Sequence, residues 1–216
     1  MITSLLFPPK CVFCRKLLVA AETDICHECR RSVQQVITTE TKLSNIAQWT
    51  AVWYYKKDVR NSIRRFKFSN ARGYADVYAK HLAIKLMETN LADCFDLLTW
   101  VPVSLFRRIT RGYDQSQLLA EALGKELSCT PIRLLRKIRH TSPQSQISKD
   151  TLRKKNVEGA YKACNSAQIA GKRILLLDDI ITSGFTAEEC AKVLAASGAK
   201  QVFFAAVAAA NHKKNK

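Results

Sequence analysis

The chain of 216 residues is 47% hydrophobic and 25% charged, enough apolar residue to bury the core of one α/β domain with a small appendage. Its 35 Lys and Arg against 18 Asp and Glu give a formal charge of +17, more than a balanced soluble surface requires, so polyanions or phosphate-rich ligands are the expected partners. No apolar run approaches the length of a membrane span, and Met1 to Pro9 lacks both a leading basic region and a small-residue cleavage site. Neither a spanning helix nor a signal peptide is expected, and cytoplasmic residence follows.

Eight cysteines divide into two groups. Cys11-Val12-Phe13-Cys14 and Cys26-His27-Glu28-Cys29 are separated by eleven residues, while Cys94, Cys129, Cys164 and Cys190 are scattered among apolar neighbours and read as small buried hydrophobes. Each C-x-x-C knuckle lets two sulfurs converge on one ion, and two knuckles complete a tetrahedral zinc site. A redox dithiol needs only one such pair, usually in a βαβ context absent here, and a disulfide pair suits a reducing compartment poorly. Four thiolates leave no position for water, so the zinc is expected to be structural, with His27 a bystander. Zinc with four thiolates lowers the net charge to about +15. The finger is assigned to residues 1–40, packed against a main domain of residues 41–216.

A short helix is expected over Arg30 to Val36, before a polar, Thr-rich stretch from Ile37 to Asn45. Trp49 to Tyr55 alternates as a strand does, and Val59, Ile63 and Phe66 give Lys56 to Lys67 a helical spacing. After Gly73, Tyr74 to Met87 reads as an amphipathic helix. Leu97 to Val103 is a buried strand ending at Pro102, and Gly112 to Leu127 a helix with Leu118, Leu119, Ala122 and Leu123 on one face. Residues 140–156, polar and basic with Pro143, suggest a mobile loop. Arg173 to Leu177 is a second buried strand, Thr186 to Ala196 a helix stopped by Gly198, and Gln201 to Val207 a third strand, ahead of the basic tail His212 to Lys216. Strands alternating with helices predict a parallel sheet with helices on both faces.

Basic residues cluster at Arg60 to Lys67, Arg107 to Arg111, Arg133 to His140 and Arg153 to Lys155. The chemistry concentrates in Ile174 to Thr186. Four aliphatic residues are followed by Asp178 and Asp179, and ligands of open α/β sheets bind beyond the carboxyl ends of the strands. Thr182, Ser183, Gly184 and Thr186 then offer hydroxyls and turning amides to an anion, and Thr186-Ala187-Glu188-Glu189 fits a capping box that starts the next helix. Two acids beside a phosphate are repulsive unless they face sugar hydroxyls or a hydrated magnesium ion, so a phosphorylated ribose fits the segment. No Walker A string and no G-x-G-x-x-G occurs.

The stretch resembles the phosphoribosyl-pyrophosphate (PRPP) loop of the phosphoribosyltransferase fold. The whole chain resembles the ComF family, competence-associated phosphoribosyltransferase-like proteins with an N-terminal zinc finger. The likeness runs through Phe7-Pro8, both Cys knuckles, Val101-Pro102-Val103, Arg111-Gly112-Tyr113-Asp114-Gln115, Gln144, and Leu152 through Asn156 to Tyr161, and ends in the Asp-Asp loop. Ser183 stands where Thr is usual, Phe185 where a small residue is common, and Asp114 where Asn is more usual. The resemblance implies that Asp178 and Asp179 hold the ribose hydroxyls, with magnesium bound mainly by PRPP, and that Thr182, Ser183, Gly184, Phe185 and Thr186 cradle the 5-phosphate. It places a pyrophosphate loop at Val103 with Arg107, Arg108 and Arg111, which serve equally well as a nucleic-acid-facing patch. The 140–156 segment takes the place of the loop that closes over the substrate, with Arg153 its first catalytic candidate beside Asp178 and Asp179; Lys67 is a further candidate.

Three functions follow from the resemblance. One is a PRPP-binding protein of DNA uptake that contacts single-stranded DNA, with Trp49, Trp53, Tyr54 and Tyr55 near Lys56 and Lys57 either stacking bases or filling the core. Another is an active phosphoribosyltransferase acting on an unidentified base. The last is a zinc-finger adaptor for a DNA translocation helicase.

Overall fold

The structure, a computed structural model, describes residues 8–37, 42–139, 141 and 150–210. Phe7, the boundary near residue 40, Pro143, Gln144 and the tail His212 to Lys216 lie outside these residues. Among the described residues the first helix, α1 (His27–Ser32), starts inside the second Cys knuckle rather than at Arg30. The residues expected to finish it are extended instead: Val36 donates to the Val52 carbonyl and Tyr54 to that of Gln34, which lays Gln34 to Val36 antiparallel along β1 (Gln48–Tyr54). An open strand edge satisfies backbone groups that a one-turn helical extension leaves bare.

Helix α2 (Lys57–Phe68) buries Val59, Ile63 and Phe66, the three residues whose spacing predicts it. Helix α3 (Tyr74–Glu88) buries Tyr78, Leu82 and Leu86 along one stripe. Strand β2 (Leu97–Trp100) leads to α4 (Leu105–Arg111), a helix that periodicity does not reveal because it buries no residue. Gly112, at φ 77°, ends α4, so the helix expected from Gly112 begins instead at Gln115 as α5 (Gln115–Glu126), with Asp114 as its N-cap. Two short strands, β3 (Leu135–Lys137) and β4 (Tyr161–Ala163), pair antiparallel. Between them α6 (Asp150–Val157) is helical where a loop is expected, and it packs against the later helix Phe185–Ala196. After the single turn α7 (Ser166–Ile169), β5 (Arg173–Ile181), α8 (Phe185–Ala196) and β6 (Gln201–Ala209) close the fold.

The main sheet is parallel throughout, in the order β1-β6-β5-β2. Alternate residues face opposite layers. Leu175, Leu177, Phe203 and Ala205 join α2, α3 and α5, while Ile174, Leu176, Val202 and Phe204 join α8. The two-sided cover predicted from the apolar runs is therefore present. The zinc-finger residues Cys11, Val12 and Phe13 are buried in the first layer with Trp53, Phe66 and Tyr78. Phe13 meets Trp53 edge to face, with ring centroids 5.1 Å apart. Ser62 Oγ donates to the Val12 carbonyl at 2.7 Å and bonds Tyr78 Oη at 2.6 Å, and the Arg65 guanidinium donates to the Val12 and Phe13 carbonyls. Buried backbone oxygens of the finger are thus satisfied by the main domain. Trp53 belongs to the core, and Trp49, Tyr54 and Tyr55 are half-buried against it.

Candidate functional site

Four sulfurs converge at the amino end. The Sγ atoms of Cys11, Cys14, Cys26 and Cys29 lie within 4.8 Å of one another, the disposition of a tetrahedral thiolate site. Burial opposes ionisation of Cys11, but the amides of Cys26, Cys14 and Phe13 hold its thiol down at about 7. Burial pushes the Cys14 and Cys29 thiols up. The Cys11 thiolate is therefore easily formed while Cys14 and Cys29 need a cation beside them to ionise, which fits zinc as the group that completes this cluster. Of the scattered cysteines only Cys190 is the small buried hydrophobe expected. Cys94, Cys129 and Cys164 are partly exposed, and the Cys94 and Cys164 thiols donate to the carbonyls of Asn90 and Arg133.

The two acids sit one step earlier than expected, within β5 rather than after it, because the strand continues its pairing with β6 as far as Ile181. Successive residues of a strand point to opposite faces, so the pair diverges. Asp178 Oδ1 accepts from Ser116 Oγ at 3.0 Å and from the Asp179 amide at 2.8 Å. Asp179, only 3% exposed, pairs through Oδ1 with Lys67 Nζ at 2.8 Å, while its Oδ2 is buried with no hydrogen-bond partner. Burial, with the Asp179 charge beside it, pushes the Asp178 carboxyl up to about 7; Lys67 pulls the other way. A third acid, Asp114, accepts from the amides of Ser116 and Gln117 through Oδ1 and from the Val103 amide, 3.2 Å away, through Oδ2. Burial raises its carboxyl too, against those three amides.

Cations ring the acids. The half-buried Arg111 donates to Gln115 Oε1 at 2.8 Å, feels the Asp179 charge, and lies 4.8 Å from the Phe68 ring centroid. Arg107 donates to the Thr141 carbonyl, and Arg108 is exposed on the same helix. Lys137, which the sequence reading did not single out, donates to Thr141 Oγ1 at 2.7 Å and stands 5.0 Å from the Tyr161 ring. Burial, with Arg107 nearby, brings its ammonium down to about 8, and Asp178 attracts it. Arg153 lies half-buried on α6, a helix rather than a loop.

Between β5 and α8 the turn runs through Thr182, Ser183 and Gly184. Gly184, at φ 83°, is the N-cap of α8, and a Cβ there would lie 2.5 Å from Leu43 Cδ2. The capping box read at Thr186 does not form: the helix starts one residue earlier, Glu188 Oε1 accepts from the Ser44 amide, and Glu189 Oε1 accepts from the Gly159 amide. Both acids tie loops to α8 instead of closing its first turn. The amino end of this twelve-residue helix faces the turn, where its dipole favours an anion. Carboxylates for hydroxyl donors and a rim of cations thus lie beside a helix-capping turn. Ser116, the other site residue missed, follows directly on the Arg111 to Gln115 string, so its place in the sequence was a signal; for Lys137 the signal was its place in the basic cluster Arg133 to His140.

Two family models match the chain, a phosphoribosyl transferase domain over residues 114–216 and a double zinc ribbon domain over residues 2–41. The molecule is a phosphoribosyltransferase-type α/β domain carrying an amino-terminal zinc ribbon. It is 26% identical to competence protein F of Haemophilus influenzae, over 89% of this chain and 93% of that one. It is 26% identical to the DNA utilization protein YhgH of Escherichia coli over 90% of this chain and 94% of that one, and 28% identical to competence protein ComFC of Bacillus subtilis over 87% and 78%. Over about nine-tenths of its length the chain thus resembles the ComF-type competence proteins.

Proposed function

We propose that this protein binds PRPP at the carboxyl end of β5 and acts in the cytoplasm in the uptake or use of DNA, contacting single-stranded DNA. The names of its relatives, two competence proteins and a DNA utilization protein, support the process. Among the described residues no helix is long and apolar enough to cross a membrane. The observation that carries the ligand is Asp179 Oδ2, a buried acceptor left without a donor beside Asp178, in a site otherwise rimmed by Lys67, Arg111 and Lys137. A buried carboxylate oxygen is costly unless a donor or cation meets it, and a ribose hydroxyl supplies the donor. In this reading Asp178 and Asp179 take the ribose hydroxyls, the turn from Thr182 to Thr186 takes the 5-phosphate, and Arg107, Arg111 and Lys137 face the pyrophosphate. Arg108 and the Val103 amide contribute less, one through exposure and the other through its bond to Asp114. Magnesium fits as a companion of the pyrophosphate, where it would screen charge that three cations alone do not neutralise.

Calorimetric titration of the zinc-loaded protein with PRPP and magnesium tests the assignment. Asp178→Asn with Asp179→Asn is expected to reduce affinity at least about a hundredfold, since two charge-assisted hydrogen bonds of about 1.5–3 kcal/mol each are weakened. Unchanged binding in that variant, with its fold verified by circular dichroism, removes the sugar assignment. Pyrophosphate release on adding a panel of bases to the same sample separates a transferase from a binding module.

A further inference from the structure

Helix α4 and the end of α2 carry an unusual set of exposed side chains. Phe68, Leu105, Phe106 and Ile109 are 64–71% exposed, and no residue of α4 is buried. Scattered apolar residues are ordinary on a surface, but four large ones on two adjoining elements mark a contact site. The Arg111 guanidinium, 4.8 Å from the Phe68 ring centroid, brings the two elements together. Arg72 from the following turn donates to the Gly112 carbonyl and lies 5.0 Å from the Tyr113 ring, beside the carboxyl end of α4.

Charge selects the partner. Arg60, Arg64, Arg72 and Arg108 are exposed, and there is no carboxylate from Val59 to Arg72 or from Ser104 to Tyr113. An apolar protein surface does not meet such a density of charge; a polyanion with flat apolar groups does. A duplex keeps its bases stacked inside, whereas a single strand offers them. A helix of seven residues, about 10 Å long, is short for the apolar stripe by which interfacial helices lie in a lipid surface. The face is also continuous with the sugar-phosphate site, because Lys67, next to Phe68, is the residue paired with Asp179.

We propose that Phe68 and Phe106, framed by Arg72 and Arg108, form a platform on which unpaired bases of single-stranded DNA stack while the guanidinium groups hold the phosphates. This rests on the reading above that the protein contacts single-stranded DNA, and it moves the stacking residues away from the aromatic strand β1, whose Trp53 is in the core. Bases on aromatic rings supply sequence-tolerant affinity, and phosphates on arginines supply its salt dependence.

Fluorescence anisotropy with the full-length, zinc-loaded protein tests this, using labelled oligo(dT) of about twenty nucleotides, more than spans one binding module, and an abasic strand of equal length. Phe68→Ala and Phe106→Ala are each expected to raise Kd about tenfold without altering the slope of log Kd against log salt, because no charge is lost. Phe68→Trp should restore binding. Arg108→Gln should reduce the salt slope by about 0.7. The abasic strand, which offers a base to neither ring, should bind the unaltered protein more weakly than oligo(dT) binds either Phe variant. Both rings are exposed, so circular dichroism and zinc content should be unchanged. If oligo(dT) binds but the Phe variants and the abasic strand bind equally well, the platform is overturned and the face serves a protein or lipid partner. If the unaltered protein fails to bind oligo(dT) at low salt, the DNA reading itself falls, and this inference with it.

Discussion

Asp178 shares the end of β5 with Asp179, and burial together with that neighbouring charge lifts its carboxyl to about 7. Its ordinary value is 3.8, so between the two values the folded protein holds a proton that the unfolded chain releases. The contribution of Asp178 to stability is therefore fully present below its ordinary value and declines as pH rises to about 7, beyond which it is flat. Urea midpoints measured from pH 5.5 to 8 should fall more steeply for the unaltered protein than for Asp178→Asn over that window; parallel curves would contradict the assignment. Ligand affinity should move the opposite way, strengthening as pH rises through 7, because hydroxyl donors need the carboxylate. The string of small hydroxylated residues after two acids was legible as a turn leading from a strand into a helix. The burial that divides the work between the acids was not, since strand geometry sends one carboxylate to Ser116 and the other to Lys67.

Helix α5 shows how an element's own preferences yield to its surroundings. Gly124 lies inside the helix, where replacement by Ala ordinarily gains about 1 kcal/mol. Here a Cβ would fall 2.4 Å from the Cys129 carbonyl oxygen and 2.9 Å from Pro131 Cδ, because the chain folds back so that the Cys129 amide can donate to the Gly124 carbonyl. Gly124→Ala should therefore destabilise, by about 1–3 kcal/mol as overpacking does, and a raised urea midpoint would refute this. Elements with a long apolar period, such as α2 and α3, were legible because their buried stripe repeats. Helix α4 was hidden because its apolar residues face solvent, and β3 and β4 because three residues carry no period and each exists only by pairing with the other.

At the scale of the molecule, the zinc ribbon is part of the core rather than an appendage on a tether. Val12, Phe13 and Ile25 are 1–3% exposed and share one cluster with Trp53 and Tyr78, while Ser62 and Arg65 of α2 hold ribbon carbonyls. Zinc removal should thus reach beyond the ribbon. Chelation is expected to lower the thermal midpoint of the entire protein and to shift Trp53 emission to the red as Phe13 leaves its ring. A transition unchanged after stoichiometric zinc loss would show that the two parts fold independently. Lys67 gives this coupling a functional side, since α2 touches the ribbon through Ser62 and Arg65 and the acidic pair through Lys67.

The linear chain alone determined the metal cluster, the parallel sheet covered on both faces and the acidic end of β5. Each is written in short spacings: two sulfurs per knuckle, continuous apolar runs, and adjacent carboxylates before a hydroxylated turn. Only the tertiary structure decided which cations reach those carboxylates, how Asp114 holds the Val103 amide, and which aromatic rings face water. Lys67, Ser116 and Lys137 meet the acids across separations that leave no local pattern, 62 residues in the case of Ser116 and Asp178. Such contacts arise when sheet and helices pack, and no spacing in the sequence encodes them.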